Sequence, residues 1–417
     1  MKFTKKSVNF CYIQSSCSQP VSHFVSTMLF RKQHHFDAMM AFNIRVLTAL
    51  GFWGESGIEL RATLQYLAYT TWFIPPGVLF CVRQQPSSKL MLKSVYELVA
   101  AGSCIIRIGN LYVFNGTLQK AFNEVQFALG ELSRDSSDAV RKVLNHLTIS
   151  ADYICKGYGG MLIIQCLLFG PAQGLVSILK YFVWGEDPKY SLLEADYLIY
   201  NQYSNFNVWL LTMLASTCAL YVLVFALLSH ETFYWNILHH VSYLFKIIRL
   251  KILELDDCST PKQFHEQLSI VVEMHERAFK STRLLEQAIS AMMSFLYLSF
   301  ITIMCSMLLV FTVIQPDLGF LLMMSVALQY NVFLIFTFSM LGTELTEASL
   351  SVSDAVYSIR WYEKSPAERR LLLFVQMRAQ KQAAITAAKF FYLTRTSFAT
   401  AIKKTFSYFT VILQFYG

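Results

Sequence analysis

Charge is scarce in this chain. Asp, Glu, Lys and Arg make up 15% of it against 55% for the hydrophobic residues, where a soluble domain carries about a quarter charged residues. A disordered or highly solvated chain is excluded by that shortage. Local signatures of chemistry are missing too: no Cys-x-x-Cys, no Cys/His cluster at ligand spacing, no glycine-rich phosphate loop, no nucleophile placed with a base. We expect no cofactor, no metal site and no enzymatic activity. The neighbouring pairs His34-His35 and His239-His240 point to different faces of a helix, and ordinary histidines of the cytosolic face are expected there. The 9 cysteines are odd in number, and Cys104, Cys155, Cys166, Cys218 and Cys305 fall in apolar or cytosolic stretches, so no outer disulfide is expected. Internal repeats and low-complexity linkers are absent as well, which removes the symmetry a transporter usually shows.

What the chain does have is a series of uncharged runs of about 20 residues, the length of a membrane span. They read as Leu64–Val82, Ser94–Phe114, Gly157–Leu179, Phe206–Leu228, Ala288–Ile314 and Leu318–Leu341, with the tail as a seventh. The fold class expected is all-α, a polytopic membrane protein of seven transmembrane helices with cytosolic helical extensions forming an anchor bundle. Its parts are a cytoplasmic amino-terminal segment with a surface helix (1–61), spans one to six (62–341, including cytosolic helices at 229–287), cytosolic anchor helices (342–384) and a last helix (385–417). Met1–Arg61 lacks a continuous apolar core, so no secretory signal is expected. About two dozen Lys and Arg fall in that segment and in alternate loops, whereas the remaining loops offer Arg83, Lys89, Lys180 and Lys189. The amino terminus is therefore expected in the cytoplasm and the carboxyl terminus outside. The net charge of +8 is explained by topology and calls for no nucleic-acid partner.

The tail carries the most informative pattern. Wound as a helix, Thr394–Gly417 places Thr396, Thr400, Lys403, Ser407, Val411 and Gln414 on one stripe, with Phe398, Ile402, Phe406, Phe409, Ile412 and Leu413 on the other faces. Polar groups held in hydrocarbon without partners cost several kcal/mol each. The stripe must face either neighbouring helices of the same subunit or a water-filled pore.

Elsewhere, Pro75 and Pro76 should kink or end the first span. Glu97 and Arg107 in the second are expected to snorkel to the two interfaces rather than pair. The sequon at Asn115 should stay bare in the cytosol, and the acidic loop Tyr181–Gln202 should be a solvated outer loop. Thr260-Pro261 with Gln263, and Ser365-Pro366 with Glu368, read as helix starts with capping boxes.

From Thr343 to Phe415 the chain resembles the insect odorant receptors. The resemblance lies in Trp361-Tyr362-Glu363, Arg378-Ala379-Gln380, the Ala-x-x-Phe run ending at Phe390, and Ser407-Tyr408-Phe409-Thr410. The ending Ser407-Tyr408 followed by Gln414-Phe415 is also similar to the signature of the related gustatory receptors, with Ser where Thr is usual. The resemblance implies an odorant-gated, non-selective cation channel of four subunits in the plasma membrane. A tuning subunit of this kind would join shared co-receptor subunits in a heterotetramer passing monovalent and divalent cations. By the same likeness the last helix lines the pore, with Val411, Gln414 and Phe415 at the gate and Ser407 on the same stripe. The odorant pocket would lie in the outer half among spans two, three, four and six, which selects Tyr96, Gly159, Ile163, Trp209, Met213, Met323 and Val326. An apolar ring of this sort gates by dewetting. A G-protein-coupled receptor, with its amino terminus outside and its sequon modified, is the rival reading.

Overall fold

The computed structural model describes residues 40–54, 57–83, 88–134, 137–185, 191–314 and 318–416. The first 39 residues, and with them His34-His35 and the start of the expected surface helix at Phe36, lie outside the described residues, as do Glu186, Asp187 and Lys189.

The described chain is helical almost throughout. Helix α1 (Ala41–Ala49) leads through a turn into α2 (Leu60–Arg83) and the long α3 (Ser88–Arg134). Helix α4 (Asp138–Leu167) passes through a π-helical turn, Leu168–Ala172, into α5 (Gln173–Trp184). Then come α6 (Phe206–Leu253), α7 (Pro261–Leu309), α8 (Leu318–Ser358), α9 (Pro366–Ala379) and α10 (Arg395–Tyr416). At 48 residues α6 is about 70 Å long, more than twice the hydrocarbon thickness of about 30 Å. Such helices are longer than a membrane span requires.

Among the described residues, five stretches are long and apolar enough to cross a membrane: Ser94–Ser133, Asp138–Trp184, Phe206–Asp257, Pro261–Thr312 and Ser325–Ser358. The other two expected spans, α2 and α10, fall below that measure. Helix α2 is diluted by Gln, Thr, Tyr and Pro, and α10 by Arg395, Lys403 and Lys404. Both are helices nonetheless, and α2 continues through Pro75 and Pro76 to Arg83 rather than ending there.

Helix starts follow the local chemistry. Ser365 Oγ accepts from the Glu368 amide while the Glu368 carboxylate accepts from the Ser365 amide. The Ser365 bonds hold that carboxyl below its ordinary range. Thr260 Oγ1 accepts from the Gln263 amide at 3.2 Å, but the Gln263 side chain accepts from Ser259, one residue before the position a capping box uses.

A two-stranded hairpin, β1 (Thr386–Ala387) and β2 (Phe391–Tyr392), interrupts the all-helical order. Its tip, Ala388-Lys389, has φ of 46° and 63°. Such turns are normally signalled by Asn-Gly, and nothing in Ala-Lys announces one. From the hairpin the chain passes so close to α8 that a Cβ on Gly342 would lie 2.3 Å from the Leu393 carbonyl oxygen.

The core is centred on the second half of α6, buried on every side from Ala226 to Phe245. It is enclosed by α1, α3, α4, α7 and α8. A helix buried all round is expected to be apolar, yet this one carries Ser229, His230, Glu231, Thr232, Asn236, His239, His240 and Ser242. His239 and His240, expected as ordinary histidines of the cytosolic face, are both buried: His239 meets Glu344 at 2.8 Å and Ser150 at 2.7 Å, and His240 meets the Asn236 carbonyl at 2.6 Å.

Candidate functional site

Helix α10 is fixed to its own subunit along one edge. Ser397 Oγ lies 3.3 Å from the Tyr297 hydroxyl, which itself meets Ser339 at 2.6 Å, and the Arg395 amide donates to Thr343 at 3.0 Å. Phe398 packs between Phe300 and Phe336. Ala401 and Thr405 complete this buried edge, at steps of four from Ser397. The polar stripe lies elsewhere. Thr396, Thr400, Lys403, Ser407, Val411 and Gln414 are all exposed on the subunit surface. They do not seal against neighbouring helices of this subunit. Phe406 and Tyr408 are half exposed beside them, and the Phe415 side chain lies outside the described residues. Lys403 and Lys404 have no acidic partner on α10, whose sequence contains no Asp or Glu.

The candidate ligand residues fall in several places. Tyr96 is buried in a cluster with Ile303, Met307, Val310 and Ala327, and Val326 is half buried next to that cluster in sequence. Gly159 faces Leu228, where a Cβ would be in ordinary contact at 3.9 Å. Ile163 lies one helical turn on from Gly159 along α4 and is 46% exposed. The side chain of Met323 is outside the described residues. Trp209 and Met213 converge, but on a different group: together with Ser191, Leu192, Gln202, Thr212 and Ser216 they line a small cavity of about 10 Å³. That is the space of roughly one water.

The segment 191–204 covers this cavity. Its Glu194 amide donates to Glu97 Oε2 and its Asp196 amide to the Pro76 carbonyl, both at 2.9 Å. Trp72 of α2 donates to Ser216 Oγ at 3.2 Å, and Tyr197 packs on the Trp72 ring and stacks on Tyr200. Glu97 is therefore buried and bonded to the covering segment, not snorkelling.

Arg107 does not snorkel either. It is buried against Glu231 of α6, donates to the Tyr330 hydroxyl at 2.7 Å and returns its Nε–H to the Ser103 carbonyl at 3.1 Å. Burial of a lone guanidinium is costly enough that a partner is needed. The partner is 124 residues away in sequence, beyond the reach of any local pattern. Asn115 is buried inside α3 and donates to the Phe52 carbonyl, so the sequon is part of a packed helix.

Long apolar helices, continuing past a bilayer's thickness and enclosing a buried polar core, define a polytopic membrane protein. A family model described as 7tm odorant receptor matches residues 87–406, and the chain belongs to that family. The family comprises multi-pass receptors of the plasma membrane rather than enzymes. The chain is 35% identical over 80 residues to the odorant receptor coreceptor of Ooceraea biroi, covering 19% of this chain and 17% of that one. It is 23% identical over 182 residues to odorant receptor 10 of Aedes albopictus, covering 42% of this chain and 48% of that one. In these matches the chain spans less than half the length of either relative. In fold it is similar to the insect olfactory receptor OR5 of Machilis hrabei, solved in complex with eugenol. The TM-score is 0.77 at 16% identity, over 91% of this chain and 98% of that one.

Proposed function

We propose that this chain is the odorant-binding subunit of a ligand-gated, non-selective cation channel, working in a heterotetramer with co-receptor subunits. Its amino terminus is cytoplasmic, its carboxyl terminus outside, and the covering segment 191–204 lies on the outer side. A small volatile molecule enters the outer half of the bundle, and α10 moves to open an apolar gate at Val411, Gln414 and Phe415.

The observation that carries this reading is the exposed polar stripe of α10. A membrane helix left with Thr396, Thr400, Lys403, Ser407 and Gln414 uncovered by its own subunit needs water or a second chain against that face. A central pore between subunits supplies both. The half-exposed Val411 on the same stripe provides the dry constriction such a gate needs.

Voltage-clamp recording of the chain co-expressed with a co-receptor, against a panel of volatiles, tests the proposal. Val411→Ala should raise resting leak and Gln414→Ala should alter permeability. Unchanged conductance, permeability and leak in both variants would remove α10 from the pore.

A further inference from the structure

Segment 191–204 contains a turn whose composition does not suit water. The Tyr200 amide donates to the Tyr197 carbonyl at 2.8 Å, so Leu198 and Ile199 occupy the two central positions. Turns facing water are normally built there from Gly, Asn, Asp, Ser or Pro. Here two large aliphatic side chains stand out instead, Leu198 63% and Ile199 95% exposed. The tyrosines on either side turn inward: their rings stack 5.1 Å apart, Tyr197 packs on Trp72, and the Tyr200 hydroxyl accepts from Thr212 at 3.3 Å.

The depth of the turn follows from the helices that hold it. The Asp196 amide donates to the carbonyl of Pro76, which lies about 10 Å before α2 ends at Arg83. Thr212 lies about 9 Å inside the start of α6 at Phe206. The segment therefore dips below the helix ends instead of lying over them. At that level both helices also turn aliphatic side chains outward, Val78 on α2 and Leu211 and Leu214 on α6. The headgroup layer is about 5–8 Å thick, so with Arg83 at its water side this level is the boundary with the acyl chains.

We propose that Leu198 and Ile199 form a lipid-docking tip, inserted into the outer leaflet at the boundary between headgroups and acyl chains, where it pins segment 191–204 against α2 and α6. The proposal rests on the reading above in placing this segment on the outer side. Hydrated headgroups at that level answer the turn's own backbone groups, which the hydrocarbon centre could not. The tyrosines hold the segment to protein and the aliphatic pair holds it to lipid.

The tests use the full chain co-expressed with a co-receptor, with surface delivery measured for each variant. On intact cells a membrane-impermeant maleimide is compared on Ile199→Cys, Leu198→Cys and Ser204→Cys, over its reaction with the unaltered chain. Ser204 is exposed on the same segment, and its variant should react readily. Both tip variants should react at least about tenfold more slowly, since the thiolate is the nucleophile and an apolar medium suppresses it. In the purified channel reconstituted into phosphatidylcholine liposomes, the emission added by Ile199→Trp should be quenched by bromines on the acyl chains. Tip variants that react as fast as Ser204→Cys would overturn the proposal by putting the turn in water. Slow reaction without quenching by brominated lipid would overturn it by showing that another chain covers the turn. Reaction of Ser204→Cys only after permeabilisation would contradict the outer placement of the segment, and with it the functional reading, while the bromine result still decides whether the tip meets lipid.

Discussion

Helices α6 and α10 both carry polar side chains through apolar surroundings, and they differ in where the partners are. On α6 the polar residues are buried inside the subunit, and neighbouring helices answer many of them: Glu231 has Arg107 and Tyr330, His239 has Ser150 and Glu344, and Thr232 sits with Asn43 of α1. On α10 the buried edge is satisfied in the same way, through Ser397 and Thr405. Its polar stripe, by contrast, is turned outward, and Thr400 Oγ1 donates to the Thr396 carbonyl of the same helix at 2.8 Å rather than to a neighbouring helix. The same physical rule, that polar groups in an apolar medium need partners, makes α6 a structural element and α10 an element that looks for something outside. Changes on α6 should therefore register in stability, and changes on the α10 stripe in conduction.

The largest effect is expected where the inner network is broken at its most costly point. Arg107→Leu leaves Glu231 buried without its counter-charge, a loss of about 3–5 kcal/mol, and little protein should reach the cell surface. Replacing both residues, as in Arg107→Leu with Glu231→Leu, removes the unpaired charge and should recover most of the loss. Thermal unfolding of detergent-solubilised protein, with surface labelling, measures both. If the double variant is no better than the single one, the pair is not what holds α3 to α6.

A middle-sized effect belongs to the junction between the two regions. Gly342→Ala drives a methyl group against the Leu393 backbone, 2.3 Å from its carbonyl oxygen. Neither a backbone carbonyl nor α8 can yield cheaply, so about 1–3 kcal/mol of overpacking is expected. Because Leu393 leads directly into α10, the strain should also displace the start of that helix and raise resting current. A lower unfolding temperature with unchanged leak would mean that the junction absorbs the shift without passing it on.

How much of this could be read from sequence divides along the same line. The helix starts at Ser365 and Thr260 were legible because a cap and its partner lie three residues apart. The α10 stripe was legible because helical spacing alone puts Thr396, Thr400, Lys403, Ser407, Val411 and Gln414 together. The inner network was not. Arg107 and Glu231 lie 124 positions apart, and a charge near the end of an apolar run reads equally well as a snorkelling side chain. For the same reason the partners of His239 and His240 were not legible: only the packing of α1, α3, α4, α7 and α8 around α6 shows that its half after Leu228 is the more deeply buried. The hairpin tip at Ala388-Lys389 bears no turn residues at all. The placement of the expected ligand residues was not legible either: Trp209 and Met213 lie beside the covering segment and Tyr96 in a separate cluster, which helical spacing does not show.

The smallest effect on stability, and the sharpest test of the contrast, is expected at Lys403. It is exposed on the α10 stripe with no acidic residue on that helix to neutralise it. Lys403→Gln should change the unfolding free energy by no more than about 0.5 kcal/mol, as surface substitutions do. Its consequence should be electrical. An ammonium group facing the ion path repels a divalent cation twice as strongly as a monovalent one at the same distance. Removing it should raise divalent over monovalent permeability, read as a shift in reversal potential when external sodium is replaced by calcium. The effect should grow with the number of copies of this subunit in the channel, since each contributes one such charge. If Lys403→Gln instead lowers the unfolding temperature and leaves the reversal potential where it was, its side chain is held within the subunit, and α10 is a structural helix like α6.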